Sequence, residues 1–250
     1  MARRYKLTLE YDGADFAGWQ RQAEGVTTVQ SVLEHAIAQL TGEKAGLHVA
    51  GRTDAGVHAL GQVAHVDLMR EDVAAATMRD GVNFHVRPHR VAVLVAEPVD
   101  ENFHARFSAV SRAYRYRIVN RRAPPVIDAA YAWHIQRPLD VAAMQKAADL
   151  LIGKHDFSTF RAQFCQAQSP VRTLDALRVA QDGEIITITA RSRSFLYHQV
   201  RNMAGTLSLV GSGRWSHDDF VRAFKVCDRR QGGPTAPAHG LFFLGPDYRT

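Results

Sequence analysis

The segment from Gly51 to His65 holds the side chains of this sequence that are best suited to chemistry. Arg52 and Asp54 stand two positions apart, a spacing that puts both on the same side of an extended chain. A guanidinium beside a carboxylate lowers the pKa of the acid, so Asp54 would be ionised at neutral pH, as a nucleophile must be. Three glycines in the segment indicate a shaped loop between strands near residues 47–50 and 61–67. An Asx-turn, in which Asp54 only binds backbone amides, explains the same pattern.

A metal site is a third interpretation of this region. Histidine and carboxylate side chains are ligands of zinc and iron. The candidates are His48, Asp54, His58, His65 and Asp67. The sequence has no signature such as H-E-x-x-H, and Gly56 argues against the helix that would turn Asp54 and His58 toward one ion. We therefore expect no metal ion and no other cofactor.

The composition indicates a globular protein with an anionic partner. The chain has 250 residues, 46% of them hydrophobic and 22% charged, with a net charge of +6 and a pI near 9.6. A basic balance favours nucleic acid as the partner, although arginine-rich codon usage produces the same balance. The two cysteines, Cys165 and Cys227, form no disulfide or metal pattern. The sequence has neither a signal-peptide core nor a run of about 18 apolar residues, so we expect a cytoplasmic protein.

The first half of the sequence is predicted to run strand, helix, strand, strand, helix, strand. Residues 5–11 alternate as in a half-buried strand, and residues 28–40 carry apolar side chains at helical spacing. The two strands around Asp54 follow, and then a helix over residues 71–79 and a strand over residues 91–95. This order is that of a ferredoxin-like, split β-α-β unit. We expect it to form a first domain over residues 1–105.

The second half is predicted to run strand, helix, strand, strand, helix and then a late strand, as a second domain over residues 106–250. Strands are predicted at 112–119, 174–179, 185–190 and 239–244, and helices at 140–151, 194–210 and 216–226. Asp182–Gly183 between two alternating runs indicates a hairpin. His155 and Asp156 are interpreted as helix-end and turn residues. The expected fold is α+β, with antiparallel sheets in two ferredoxin-like halves around a central RNA-binding cleft.

Three further sets of side chains have two interpretations each. A glycine-containing loop carries Phe16, Trp19 and the trio Gln20, Arg21 and Gln22, and it either binds RNA or is a packed surface loop. Arginines interleave with Tyr114 and its neighbours, which fits a surface for base stacking and phosphate binding, or a sheet with core tyrosines and solvated arginines. Arg201 stands in an otherwise apolar helix, where it either reaches solvent or needs an anionic partner, for which Asp54 is the natural candidate.

The nine residues GRTDAGVHA, at positions 51–59, resemble the signature of the tRNA pseudouridine synthase A family without a break. The chain shares further blocks with that family: GWQRQ at 18–22, FHARFS at 103–108, a Tyr-x-Tyr pair at 114–116, VRN at 200–202 and HGLFFL at 239–244. The resemblance extends over nearly the whole chain, from residue 5 to about residue 248. The GWQRQ block also favours RNA contact for the loop around Trp19.

The resemblance implies an enzyme that isomerises uridine to pseudouridine at positions 38, 39 and 40 of the tRNA anticodon stem-loop. It also implies a homodimer that works without a cofactor. Asp54 is then the catalytic nucleophile, and Arg201 pairs with it. Tyr114 stacks on the target uracil. Arg52 holds the RNA backbone or fills the space that the flipped base leaves.

Two other functions compete with this interpretation. A non-catalytic RNA-binding module would keep the arginines and tyrosines but has no use for the glycine-flanked Arg-x-Asp motif; an Asp54→Ala variant that keeps the biological role would favour it. A metal-dependent hydrolase would use His48, His58 and His65, and stoichiometric metal in the purified protein would favour that.

Overall fold

A computed structural model describes residues 3–70 and 72–248 of the chain. The chain divides into two compact units. The first unit is built from the residues up to Arg112 together with those from Phe242 onward, and the second runs from Ala113 to Leu241. Within the described residues there are ten strands and five α-helices, and the pairing inside each unit is mostly antiparallel. The α+β class predicted from the sequence is confirmed.

In the sheet of the first unit, four strands lie side by side, and a fifth strand pairs with one of these four. The strands are β1 (Arg3–Tyr11), β2 (His48–Val49), β3 (His58–Leu68), β4 (Val91–Val99) and β10 (Leu241–Tyr248). β1 lies between β3 and β4, antiparallel to both. β3 also pairs with β2 in antiparallel and with β10 in parallel orientation. Tyr5, Leu7, Leu9 and Tyr11 of β1 are buried, which confirms the predicted alternation.

The helices of the first unit are α1 (Val29–Thr41) and α2 (Ala75–His85). α1 confirms its prediction, because Thr28 caps its start and Gly42 ends it with φ 79°. The predicted start of the second helix at Glu71 lies outside the described residues, and α2 itself begins at Ala75. It also continues past its predicted end through Gly81. Gly81 lets α2 approach α1 closely, since a Cβ there would lie 2.5 Å from a methyl carbon of Leu40.

The second unit holds the remaining elements. β5 (Ala109–Asn120) begins in the first unit and carries the chain into the second. The other strands are β6 (Trp133–Ile135), β7 (Gly153–Asp156), β8 (Val171–Asp182) and β9 (Ile185–Ser192), and the helices are α3 (Val141–Asp149), α4 (Gln199–Gly211) and α5 (His217–Lys225). The order across the sheet of this unit is β5-β9-β8-β7, with β6 parallel to β5. The predicted β8–β9 hairpin is confirmed, with Gly183 at φ 55°.

Some boundaries differ from the sequence prediction for physical reasons. β3 begins at His58, not near residue 61, so Gly61 lies inside the strand. A Cβ on Gly61 would lie 2.6 Å from the carbonyl oxygen of Leu244, so glycine here serves the close approach of β10 to β3. None of the helices in the described residues is long and apolar enough to cross a membrane.

Two corrections concern the second unit. His155 and Asp156 lie in β7, where they pair with Arg172 and Val171 of β8, and are not turn residues. α4 begins at Gln199 and not near residue 194, because His198 takes a left-handed conformation (φ 60°) that breaks the helix before it.

Candidate active site

The Asp54 loop, residues 50–57, connects β2 to β3. The Asp54 carbonyl accepts a hydrogen bond from the N–H of Val57 at 3.2 Å, and Gly56 has φ 76°, so the chain turns directly after the aspartate. Asp54 is half-buried and Arg52 is exposed, whereas Thr53 and Val57 are buried. Asp54 therefore lies on a short segment whose residues Thr53 and Val57 are anchored in the core.

Residues 16–19 hold the backbone of this loop through hydrogen bonds and close packing. The N–H of Trp19 donates to the Thr53 carbonyl at 3.0 Å, and the N–H of Gly56 donates to the Phe16 carbonyl at 3.4 Å. Gly18 has φ 96°, and a Cβ on it would lie 2.9 Å from the Thr53 oxygen. The side chains of Phe16 and Trp19 are 3% and 1% exposed. Both rings therefore belong to the core, whereas Gln20, Arg21 and Gln22 are exposed, and RNA contact by this segment stays a prediction.

A buried network of side-chain hydrogen bonds joins the loop to the core of the first unit. The hydroxyl oxygen of Tyr11 lies 2.7 Å from Oγ1 of Thr53. Nε2 of Gln62 donates to the Tyr11 hydroxyl at 3.2 Å and to the Gly51 carbonyl at 2.7 Å. Burial raises the pKa of Tyr11 to about 12, so the hydroxyl remains neutral. The residues on both sides of Arg52 are thus held by one network.

Sequence reasoning assigned Tyr11 to the core and gave Gln62 no role. The sequence signal that could have identified Gln62 was an amide side chain within the apolar run that forms β3. A completely buried glutamine needs partners for its amide group. Its partners here are the Gly51 carbonyl of the loop and the Tyr11 hydroxyl of β1.

We expect Tyr11→Phe and Thr53→Val each to lower the free energy of unfolding by about 1–3 kcal/mol, because each leaves a buried polar partner unsatisfied. The double variant should cost less than the sum of the two, by about 1 kcal/mol or more, because both changes remove the same hydrogen bond. Urea unfolding of the four proteins measures this coupling. Strictly additive losses would contradict a direct bond between the two hydroxyl groups.

Arg112 ties the start of the loop to the segment that precedes β5. Its guanidinium donates to the Ala50 carbonyl from Nε at 3.1 Å and from Nη2 at 3.0 Å. The same group donates to the carbonyls of Ala109 and Arg106. A planar fork of donors that bridges three carbonyls fixes their mutual positions. Residues 50 and 106 are therefore neighbours in the first unit.

Three histidines cluster beside this segment. One ring nitrogen of each of His48, His65 and His104 lies within 4.8 Å of the others. The rings of His48 and His65 stack with their centroids 4.8 Å apart. His58, which the metal hypothesis grouped with them, instead accepts a hydrogen bond at Nδ1 from the N–H of Gly13 at 3.0 Å. The cluster therefore contains His104 in place of the predicted His58.

The hydrogen bonds of His65 and His104 disfavour a metal ion bound between the three rings. The N–H of Ala105 donates to Nδ1 of His65 and the N–H of Arg106 donates to Nδ1 of His104, both at 3.1 Å. In the neutral rings the proton is therefore on Nε2. A metal-bound imidazole needs the opposite arrangement, in which the second ring nitrogen donates to an acceptor. Burial lowers the pKa of His65 to about 4, so this ring is neutral at physiological pH.

We expect this cluster to bind zinc only weakly. In a calorimetric titration at pH 7, zinc should show no tight one-to-one binding, and His104→Ala should not change the result. One zinc ion per chain that survives a chelating column in the wild type, and is lost in His104→Ala, would contradict this expectation.

Tyr114 and Tyr116 of β5 have different surroundings in the second unit. Tyr116 is fully buried, and its hydroxyl donates to the Pro237 carbonyl at 2.8 Å. Burial raises the pKa of Tyr116. Tyr114 is half-buried, and its ring meets Phe195 edge to face at 5.1 Å. The core interpretation therefore holds for Tyr116, while Tyr114 keeps accessible ring surface.

Arg201 lies in the first turn of α4 and is half-buried. Nε donates to the Ala236 carbonyl at 2.8 Å, and Nη1 lies 3.2 Å from Nε2 of His198. The segment that includes Ala236 packs closely on α4, since a Cβ on Gly205 would lie 1.8 Å from the Pro234 oxygen. These contacts orient the guanidinium, and its pairing with Asp54 stays a prediction.

Comparison with known proteins places these features in a family. The family profile described as tRNA pseudouridine synthase matches residues 8–108 and 147–249. A protein of Paramagnetospirillum magneticum named tRNA pseudouridine synthase A is 59% identical over 245 residues, which cover 98% of this chain and 95% of the relative. A protein of Rhodospirillum centenum with the same name is 58% identical over 241 residues, covering 96% and 98%. One of Rhodospirillum rubrum is 56% identical over 241 residues, covering 96% and 86%.

Proposed function

The chain belongs to the tRNA pseudouridine synthase A family, whose members are isomerases, and we propose that it converts uridine to pseudouridine at positions 38, 39 and 40 of the tRNA anticodon stem-loop. The reaction breaks the N1–C1′ bond of uridine, turns the uracil, and joins C5 to C1′. It has no redox change and no net hydrolysis. Acid-base and nucleophilic side chains are therefore sufficient for it.

The position of Asp54 carries this proposal. It lies on a loop whose backbone is held by residues 16–19, by the Tyr11–Gln62 network and by Arg112. A nucleophile gains most from such fixed placement, because a misplacement of about 1 Å can cost a hundredfold in rate. In the proposed mechanism Asp54 either attacks C1′ as the N1–C1′ bond breaks and the uracil leaves, or adds to C6 across the C5–C6 double bond, and forms a covalent intermediate in both cases.

Three further roles are proposed from the family motifs. Arg201 keeps Asp54 ionised and aimed, since a cation beside a carboxylate favours its charged form. Tyr114 stacks on the uracil with its accessible ring surface and assists a late proton transfer. Arg52, exposed on the Asp54 loop, holds the RNA backbone or fills the space that the flipped base leaves.

The proposal includes the larger assembly. Residues 1–105 and 106–250 would each form a ferredoxin-like half, the first carrying the Asp54 loop and the second completing the substrate cleft. Two chains would form a homodimer. The enzyme would act in the cytoplasm, where its tRNA substrates are found.

RNA binding must supply the energy to expose the target. Flipping a base out of its stack costs roughly a few kcal/mol. Stacking on an aromatic ring such as Tyr114 returns about 1–3 kcal/mol. The net charge of +6 favours further phosphate contacts, so affinity should fall as salt rises.

Tritium release from tRNA labelled at C5 of uridine tests the proposal, because C5 loses its hydrogen when it bonds to C1′. We expect release by the purified wild-type protein in the presence of a chelator. Tight tRNA binding without release would contradict the proposal and support a non-catalytic RNA-binding module. Release that stops on chelation would instead support metal-dependent chemistry.

A further inference from the structure

The segment from His104 to Ser108, here called the Arg106–Phe107 turn, presents an exposed aromatic ring together with a cation. Phe107 is 74% exposed. One side of its ring packs on His104, with centroids 4.4 Å apart, and the Arg106 guanidinium lies 5.6 Å from the ring centroid. Exposure alone does not mark a site, but an exposed aromatic ring with a guanidinium beside it offers a stacking face and a cation together.

The turn is held in one conformation by its own hydrogen bonds. The N–H of His104 donates to the Ser108 hydroxyl and the N–H of Ser108 donates to the His104 carbonyl, both at 2.9 Å. The N–H of Arg106 donates to Nδ1 of His104 at 3.1 Å. The ring and the cation are therefore displayed in a prearranged geometry, which lowers the entropy cost of binding.

The turn also has a defined position relative to the Asp54 loop. Arg112 donates to the carbonyls of both Ala50 and Arg106, so one guanidinium joins the start of the loop to the turn. The Tyr248 hydroxyl donates to the Ala105 carbonyl at 2.8 Å and anchors the turn from β10. The turn is thus held beside the start of the loop that carries Asp54.

The charge around the turn is suited to an anion. Arg4 is paired with Asp67 at 2.7 Å. Among the residues that the structure describes, no carboxylate forms an ion pair with Arg106. Arginine beside an exposed aromatic ring is the combination that binds unpaired nucleotides, with the base on the ring and the phosphate at the cation.

We propose that the Arg106–Phe107 turn is a second RNA contact, where Phe107 stacks on an unpaired base of the substrate's loop and Arg106 binds an adjacent phosphate. This inference rests on the proposed function and names a contact outside the four residues assigned there. Stacking tolerates any base, so the turn contributes affinity and placement, not sequence preference.

Binding and catalysis are to be measured for Phe107→Ala, Phe107→Tyr and Arg106→Ala with an anticodon stem-loop RNA. Phe84→Ala is the matched control, because Phe84 is 66% exposed in the same unit and also contacts a histidine ring, that of His85. We expect Phe107→Ala to raise Kd about tenfold and Phe107→Tyr to stay within about twofold of the wild type. Arg106→Ala should reduce the slope of log K against log salt by about one. Phe84→Ala should change neither quantity.

Unchanged Kd and salt slope in all three variants would overturn the inference. A change in sedimentation with RNA affinity intact would likewise overturn it and show that the turn binds protein. Failure of the proposed function is a different result, in which the wild type binds RNA but releases no tritium. In that case the comparison of Kd values still tests whether the Arg106–Phe107 turn contacts RNA. Circular dichroism and thermal unfolding establish that the surface variants are folded.

Discussion

We expect Asp54→Asn to abolish tritium release, with kcat lowered by about 10⁴-fold or more, the usual scale for loss of a nucleophile, because Asp54 is the proposed nucleophile. Asparagine has the size and one of the acceptor oxygens of aspartate but neither its charge nor its nucleophilic carboxylate. Single-turnover release from labelled tRNA with excess enzyme measures the chemical step without product release.

The same substitution should leave the fold and RNA affinity nearly unchanged. The bond that closes the turn uses the Asp54 carbonyl, which asparagine retains. Asp80→Asn, on the exposed face of α2, is the control for loss of one negative charge and should remain fully active. Release at the wild-type rate by Asp54→Asn would exclude the carboxylate as nucleophile, whereas lost RNA binding would point to a positioning role.

Gly18→Ala should lower kcat about a hundredfold through displacement of the Asp54 loop. The new Cβ would lie 2.9 Å from the Thr53 carbonyl and 3.1 Å from the Ala55 nitrogen, both backbone atoms that can give way only if the loop moves. A shift of about 1 Å at the reacting group has an effect of this size. Backbone strain at φ 96° adds a stability cost of about 1–3 kcal/mol.

The variant Gly25→Ala is the control that separates the effect of loop displacement on kcat from the effect of backbone strain on stability. Gly25 lies in the same connection between β1 and α1 and has φ 85°, but a Cβ there has no neighbour within 4 Å. It should lose stability by about 1 kcal/mol and keep its kcat. Urea unfolding and single-turnover release are compared for both variants. Equal activity in the two would show that Gly18 does not position the loop.

The elements that were predicted well are those with local signals. α1 carries a threonine cap, an apolar stripe and a closing glycine within one stretch of sequence. The β8–β9 hairpin has alternating strands around Asp182–Gly183. The short strands β6 and β7 were missed, because they exist only through pairing with β5 and β8. Three or four residues carry too little pattern to indicate a strand.

The same contrast between local signals and long-range pairing applies to the residues of the candidate site. The residues proposed for catalysis were found through motif resemblance, whereas the residues that hold the loop depend on long-range pairing. The register of β1 against β3 shifts between Leu9 and Tyr11, so that Leu9 pairs with Gln62 and Tyr11 with Ala59. This irregularity belongs to the region where Tyr11, Gln62 and Thr53 meet. No spacing in the sequence indicates it.

The pairing of β10 with β3 has a consequence for biosynthesis. Phe242 and Phe243 pair with His58 and Ala59, where the Asp54 loop enters β3. A ribosome exposes β3 long before it makes β10, so in the nascent chain this stretch of β3 can pair with β1 but has its other edge open. Such edges recruit other chains or chaperones. The surroundings of the loop are therefore completed only after the second unit has been made, and a nascent chain stalled within that unit is an aggregation hazard.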